Sequence, residues 1–164
     1  MKTKNVFKTN YLVLLTVILL GSFVFFSCSK DDNNTPPVDN RPYNLGGAAN
    51  GGQMVPAVAA TGTGTISGTY DPATRLLTYT SNWDTLSGRP ISGGFYLGAS
   101  GTNGALIGNQ WSFDSTATAS GSKSDTMTLT ADQAAQLITN AWYYSYNTEA
   151  NPTGEIRGQI ITSR

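Results

Sequence analysis

The chain contains no histidine, and cysteine occurs once, at Cys28. Without an imidazole, neither a Ser-His-Asp nor a Cys-His catalytic constellation can be built, and a zinc site of ordinary composition is out of reach. One cysteine also cannot form an internal disulfide. Charge is scarce: Asp, Glu, Lys and Arg make up 12% of the residues, against roughly 25% in a soluble domain. Ten basic side chains balance ten acidic ones, and no Lys/Arg cluster lies outside the extreme N-terminus. Nucleic acid needs such a cluster to neutralise its phosphates, so no nucleic-acid partner is expected. What is plentiful is glycine, 18 residues, together with Ser, Thr and Asn. That composition disfavours helices and suits short strands joined by turns.

The apolar residues that exist are unevenly spread. Lys2, Lys4 and Lys8 precede an almost uninterrupted apolar run, Tyr11 to Phe26. The run is shorter than the ~20 residues of a spanning helix and has the length and basic flank of a signal-peptide core. It ends at Ser27-Cys28, followed at once by polar Ser29 to Asn34. A cysteine closing such a run resembles the lipobox of bacterial lipoproteins, although Phe25 and Phe26 stand where Leu and a small residue are usual. The resemblance implies cleavage before Cys28, lipid on its sulfur and a membrane partner through that anchor. The modification it resembles supplies three acyl chains, enough for stable attachment where one is marginal. It further implies an outer-membrane lipoprotein of a Gram-negative bacterium, facing the periplasm or exposed on the surface. Acidic Asp31 and Asp32, just after the cysteine, resemble a surface-export signal; an ordinary solvated linker is the alternative.

Three segments follow: a signal peptide over residues 1–27, the lipidated cysteine with a disordered polar tether over 28–42, and a globular domain over 43–164. The tether, SKDDNNTPPVDNRP after Cys28, has Val38 as its one aliphatic residue, too little to bury and so too little to order it.

In the globular part, Thr61 to Tyr70 is dense in glycine, but the sixth position after Gly62 is Ser67 and Asp71-Pro72 follows in place of a helix. A dinucleotide fingerprint is therefore rejected, and the run reads as a strand entering a turn. Arg75 to Trp83 then alternates, with Leu77, Tyr79, Ser81 and Trp83 on one face, completing a hairpin. Ile91 to Ala99, Ala105 to Ile107, Trp111 to Phe113, Thr126 to Leu129, Trp142 to Asn147 and Glu155 to Ile161 are further strands. Residues 115–124 read as a soft connection. Thr130 with Gln133 makes a capping box for one short helix near 131–140. The expected fold is all-β, an antiparallel Greek-key-like sandwich or barrel with that single helix.

Four segments together resemble the chordin-type (CHRD) domain: Leu45 to Val58, Gly64 to Trp83, Leu97 to Ile107 and Leu129 to Ile160. The most specific piece is Asn151-Pro152-Thr153-Gly154-Glu155-Ile156-Arg157-Gly158-Gln159, close to an N-P-x-G-E-I-R-G-Q ending. The resemblance implies a compact β fold in an extracytoplasmic protein, with no agreed activity, and a structural role for Asn151, Pro152, Gly154, Glu155, Arg157 and Gly158. Family members commonly carry a His-x-His pair and a further histidine where this chain has Phe95-Tyr96-Leu97 and Asn147. Gln53 and Ala57 replace a usual Glu and Pro. Phe95 and Leu97 share a strand face, and with Asn147 nearby they would form an apolar patch with a local amide in place of a metal cluster. No metal and no cofactor are expected.

Three functions compete. The first is a non-catalytic binding module for an extracellular protein or a glycan, with Trp142, Tyr144 and Tyr146 as a ligand-binding stripe on one strand face; the alternative for that stripe is core. The second is a carboxylate-based hydrolase of surface glycans, drawing on Asp84, Asp114, Asp125, Asp132, Glu149 and Glu155. Against it, Arg157 lies two residues beyond Glu155 on the same expected strand face, which suggests a structural ion pair. The third is a calcium-binding structural module, although D-x-D-x-D-G spacing is missing. Finally, Asp84-Thr85-Leu86, Asp114-Ser115-Thr116 and Asp125-Thr126-Met127 resemble an Asp-Ser/Thr-apolar pattern of bacterial O-glycosylation.

Overall fold

The computed structural model describes residues 39–164. The signal segment, Cys28 and most of the tether lie outside them. The compact unit begins at Asp39, slightly ahead of the expected boundary at Tyr43. Asp39 accepts from both Arg41 and Arg164, and the Arg164 guanidinium lies 3.9 Å from the Tyr43 ring centre.

Nine strands form one antiparallel sheet: β1 (Tyr43–Asn50), β2 (Thr63–Asp71), β3 (Leu76–Asp84), β4 (Pro90–Leu97), β5 (Leu106–Ser112), β6 (Gly121–Thr128), β7 (Trp142–Thr148), β8 (Ile156–Gln159) and β9 (Ile161–Ser163). The one α-helix among the described residues, α1 (Ala131–Ile138), precedes β7. The spatial order is β5-β4-β7-β8-β1-β2-β3-β6, with β9 paired to β1. The sheet curls into a half-barrel, in keeping with the expected all-β class and its single helix.

The β2–β3 hairpin forms as the alternation requires. Leu77, Tyr79, Ser81 and Trp83 are buried, while Leu76, Thr78 and Asn82 face solvent and Thr80 is half-buried. Its turn is fixed by Asp71, whose carboxylate accepts from the Ala73 amide at 2.9 Å and the Thr74 hydroxyl at 2.8 Å. Arg75, expected to open the strand, instead adopts φ 58° at the end of the turn. In α1, Thr130 and Gln133 cap each other's backbone as the sequence indicates.

Curling brings both ends of the sheet over one aromatic core. Tyr79 on β3 meets Phe95 on β4 at 4.8 Å and Trp111 on β5 at 5.7 Å between ring centres. Trp83 contacts both Phe113 and Tyr146 at 5.3 Å. Such edge-on and offset contacts add to the stabilisation from apolar burial.

Three expectations need correction. The strand placed at Thr126 begins at Gly121, because an edge strand with little burial on either face carries no apolar alternation. The expected strands at Ala105–Ile107 and Trp111–Phe113 merge into one, β5, which runs from Leu106 to Ser112 and leaves out Ala105 and Phe113; it is interrupted by an irregular register against β4 and by Gly108 at φ 68°. The closing strand is split at Ile160, whose amide turns aside to the Trp142 carbonyl at 2.9 Å.

Candidate functional site

The expected ligand stripe on β7 is core. Trp142, Tyr144 and Tyr146 are all fully buried, because β7 lies between β4 and β8 and turns this face into the half-barrel. Each polar tip has a partner inside: the Tyr144 hydroxyl donates to the Gly47 carbonyl, the Tyr146 hydroxyl to Ser81 Oγ and Trp142 Nε1 to Gln136 Oε1. Burial pushes the Tyr144 and Tyr146 hydroxyls well above the usual tyrosine range.

The Asn151–Gly158 segment builds two separate buried polar latches. Glu155 is fully buried and directly precedes β8. Its Oε1 accepts from the Ser87 amide at 2.7 Å, and its Oε2 accepts from Ser87 Oγ at 2.5 Å, Thr148 Oγ1 at 2.6 Å and Asn151 Nδ2 at 3.3 Å. Burial pushes this carboxyl up, but the Ser87 and Thr148 donors outweigh it and hold it below the usual glutamate value. A general acid needs the opposite shift.

Arg157 does not pair with Glu155. It donates to the Ala99 carbonyl at 2.8 Å and Asn103 Oδ1 at 3.3 Å, and its guanidinium carbon lies 3.6 Å from the Tyr143 ring centre. The expected ion pair fails because Glu155 belongs to the turn, where strand alternation does not apply. Gly158 is required by close approach, since a Cβ there would lie 2.6 Å from the Tyr144 ring. Gly154 takes φ 131°, and Pro152 is exposed on the turn.

Phe95 is buried against Tyr79, Trp111 and Trp142. Tyr96 points to the other face and stacks on Tyr143 at 5.2 Å, while Leu97 ends the strand partly exposed. Asn147 does not complete a third corner with them. Phe95 opposes Tyr144 and Ser92 opposes Asn147, so Asn147 falls on the opposite face of the sheet from Phe95. Among the described residues, no group of three or more His, Cys, Asp or Glu side chains converges.

The remaining candidate carboxylates, Asp84, Asp114, Asp125, Asp132 and Glu149, are exposed. Asp84 accepts from Ser120, and Asp114 accepts from both the amide and the hydroxyl of Thr116, which hold it below the usual aspartate value. The hydroxyl-bearing residues of the three acceptor-like triplets, Thr85, Ser115 and Thr126, are all exposed.

A concavity that the sequence did not point to lies where the half-barrel fails to close. β5 and β6 are the two ends of the strand order. At one end of the seam Met127 of β6 lies over Gly108 of β5, so close that a Cβ on Gly108 would meet its methyl at 2.7 Å. Toward the other end the seam opens into a cleft of about 490 Å³. Trp83 and Phe113 form its apolar wall, the backbone around Ser112, Ser120 and Ser122 borders it, and Lys123 and Asp114 are its charged members. Gly121 lies flat on the Trp83 ring, where a Cβ would approach to 2.6 Å. Register places Gly121, Lys123, Asp125 and Met127 on the concave side, opposite Trp83, Ser81, Tyr79 and Leu77. Lys123 Nζ and Asp125 Oδ2 are 3.5 Å apart. The sequence signal was the Ser/Thr/Gly stretch over 115–124, which marks a loop without saying what it faces.

No curated protein and no solved structure matches the chain. A protein-family comparison matches the CHRD domain over residues 47–160, which takes in β2 to β8, both polar latches and the cleft. With more than half of its length matched in this way, the chain belongs to the CHRD domain family.

Proposed function

We propose that this protein is a lipid-anchored extracytoplasmic binding module, non-catalytic, whose CHRD domain meets its partner at the open seam between β5 and β6. The observation that carries the reading is the cleft itself: an open, polar concavity with an apolar wall beside a buried aromatic core. Chemistry finds little support there. Asp114 is engaged by its own turn, and Glu155, the buried carboxylate, is saturated by donors and shifted down. The anchor rests on the lipobox-like Ser27-Cys28.

Two measurements test the reading. Cys28→Ala is expected to move the protein from the membrane to the soluble fraction; retention on membranes after signal cleavage would refute the anchor. Full-length protein in detergent is expected to co-sediment with the insoluble envelope of the native cells without releasing soluble fragments. Absence of co-sedimentation, or fragment release, would overturn the non-catalytic module.

A further inference from the structure

We infer that Asn103 modifies itself in the folded protein: the backbone nitrogen of Gly104 displaces its side-chain amide, and the aspartate that results becomes the counter-ion of the buried Arg157.

An asparagine followed by glycine is the pair in which this ring closure is least hindered, because no Cβ shields the attacking nitrogen. The chain has two such pairs, Asn50-Gly51 and Asn103-Gly104, and the fold treats them differently. Asn50 ends β1 at φ −156° and ψ 170°, paired with Thr63 on one side and Arg157 on the other. Its side-chain oxygen is already held by the Gln53 amide at 3.2 Å. Gly51 is buried, so close to Val58 that a Cβ would lie 2.3 Å from the Val58 carbonyl oxygen. Turning Asn50 onto its neighbour would break the sheet. Asn103 is exposed in the loop between β4 and β5, outside any strand.

The groups that ring closure needs surround Asn103. A bond forms between the Gly104 nitrogen and Asn103 Cγ, and the bond from Cγ to Nδ2 breaks. Negative charge develops on Asn103 Oδ1, which accepts from Arg157 Nη1 at 3.3 Å, the placement that stabilises such an oxyanion. The amide hydrogen that Gly104 must release is donated to the Tyr143 hydroxyl at 3.3 Å. One proton departs with Nδ2 as ammonia, and one water then opens the five-membered imide. Opening at Cγ leaves aspartate, and opening at the main-chain carbonyl leaves isoaspartate.

The product supplies a charge that the fold leaves open. Arg157 is 1% exposed, yet no carboxylate among the described residues pairs with it. It is held by the Ala99 carbonyl, Asn103 Oδ1 and the Tyr143 ring, all neutral. A buried cation without an anion is costly, and a carboxylate at position 103 would stand where the neutral oxygen now does. The Val55 carbonyl, which accepts from Asn103 Nδ2 at 2.7 Å, would lose its donor. Conversion therefore shifts the tie of this loop from Val55 to Arg157, in one direction only.

The experiment incubates full-length protein in detergent at pH 8 in heavy-oxygen water and follows both pairs by peptide mass mapping. Asn103 is expected to convert at least tenfold faster than Asn50, taking up one heavy oxygen, and in urea this difference should vanish. Tyr143→Phe, which keeps the ring under Arg157, should slow conversion at Asn103 alone. Asn103→Asp, made directly, should gain melting temperature relative to the parent as pH rises from 3 to 7, because only the ionised carboxyl pairs with Arg157. An Asn103 that persists as long as Asn50, or a difference that survives in urea, overturns the inference. So does a rate unchanged by Tyr143→Phe, or an Asn103→Asp variant that gains nothing between pH 3 and pH 7.

Discussion

The half of the sheet around β7 and β8 and the seam between β5 and β6 treat their polar groups in opposite ways. Around β7 and β8, the polar tips that enter the interior meet partners, Gln159 Oε1 excepted: Tyr144 and Tyr146 hydroxyls, the Glu155 carboxylate and the Arg157 guanidinium are all engaged. A buried polar group left without a partner costs about 1–3 kcal/mol, so this region has little freedom to change. At the seam, hydroxyls and charges lie in contact with water and the strand edges stay unpaired. The motif most specific to the family thus serves architecture, and the least distinctive stretch of sequence, residues 115–124, borders the open cleft. The most specific stretch of sequence and the open concavity do not coincide.

The strongest way to break this contrast is a pair of aromatic truncations. Tyr146→Ala empties a fully buried site touching Trp83, Trp111 and Phe113. It should lower unfolding free energy by about 3–5 kcal/mol, as large aromatic deletions do. Phe113→Ala, at the half-buried cleft wall, should cost clearly less in the same denaturant titration. Equal losses would mean that the seam is as tightly packed as the centre.

A smaller effect is expected at the Glu155 latch. Glu155→Gln keeps the shape but replaces one acceptor oxygen by a donor facing the donors of Ser87 and Thr148. A loss of about 1–3 kcal/mol is expected at neutral pH. The folded carboxyl is held below its unfolded value of about 4.3. Its contribution is therefore complete above that pH and is lost as pH falls through the folded value. Denaturation midpoints measured from pH 7 to pH 3 should fall more steeply for the parent than for Glu155→Gln. Parallel curves would show that Glu155 is not the linked group.

The smallest change in monomer stability, about 0–1 kcal/mol, should come from Lys123→Val with Asp125→Val, since Asp125 is exposed and their charges stand 3.5 Å apart at the edge of the sheet. Its readout is association. With the inward charges gone, the β6 edge should recruit a second copy, and light scattering should detect dimers or larger species. A strictly monomeric double variant would show that these charges do not guard the edge.

Much of the local structure was legible in the residues. Thr130 and Gln133 named the start of the helix, and the alternation from Leu76 to Trp83 named both the strand and its buried face. The full length of β6 is not legible, because its pattern, exposed on nearly every residue, has no apolar rhythm to detect. Alternation would pair Glu155 with Arg157, but it does not hold across the boundary between a turn and β8. That Trp142, Tyr144 and Tyr146 share one face follows from alternation, but whether that face meets water or core depends on strands far away in the chain.

The sequence by itself determined the alternation, the caps and turns, the absence of imidazole chemistry and membership in a β family, because each is carried by the identity of residues or their spacing within a few positions. The tertiary structure alone decided which aromatic face is interior, which donors saturate Glu155, where Asn147 falls and that a cleft exists at all. Those outcomes depend on sheet order and curvature: β5 and β6, neighbours in sequence, become opposite ends of one sheet and meet again across a seam that the curling leaves open.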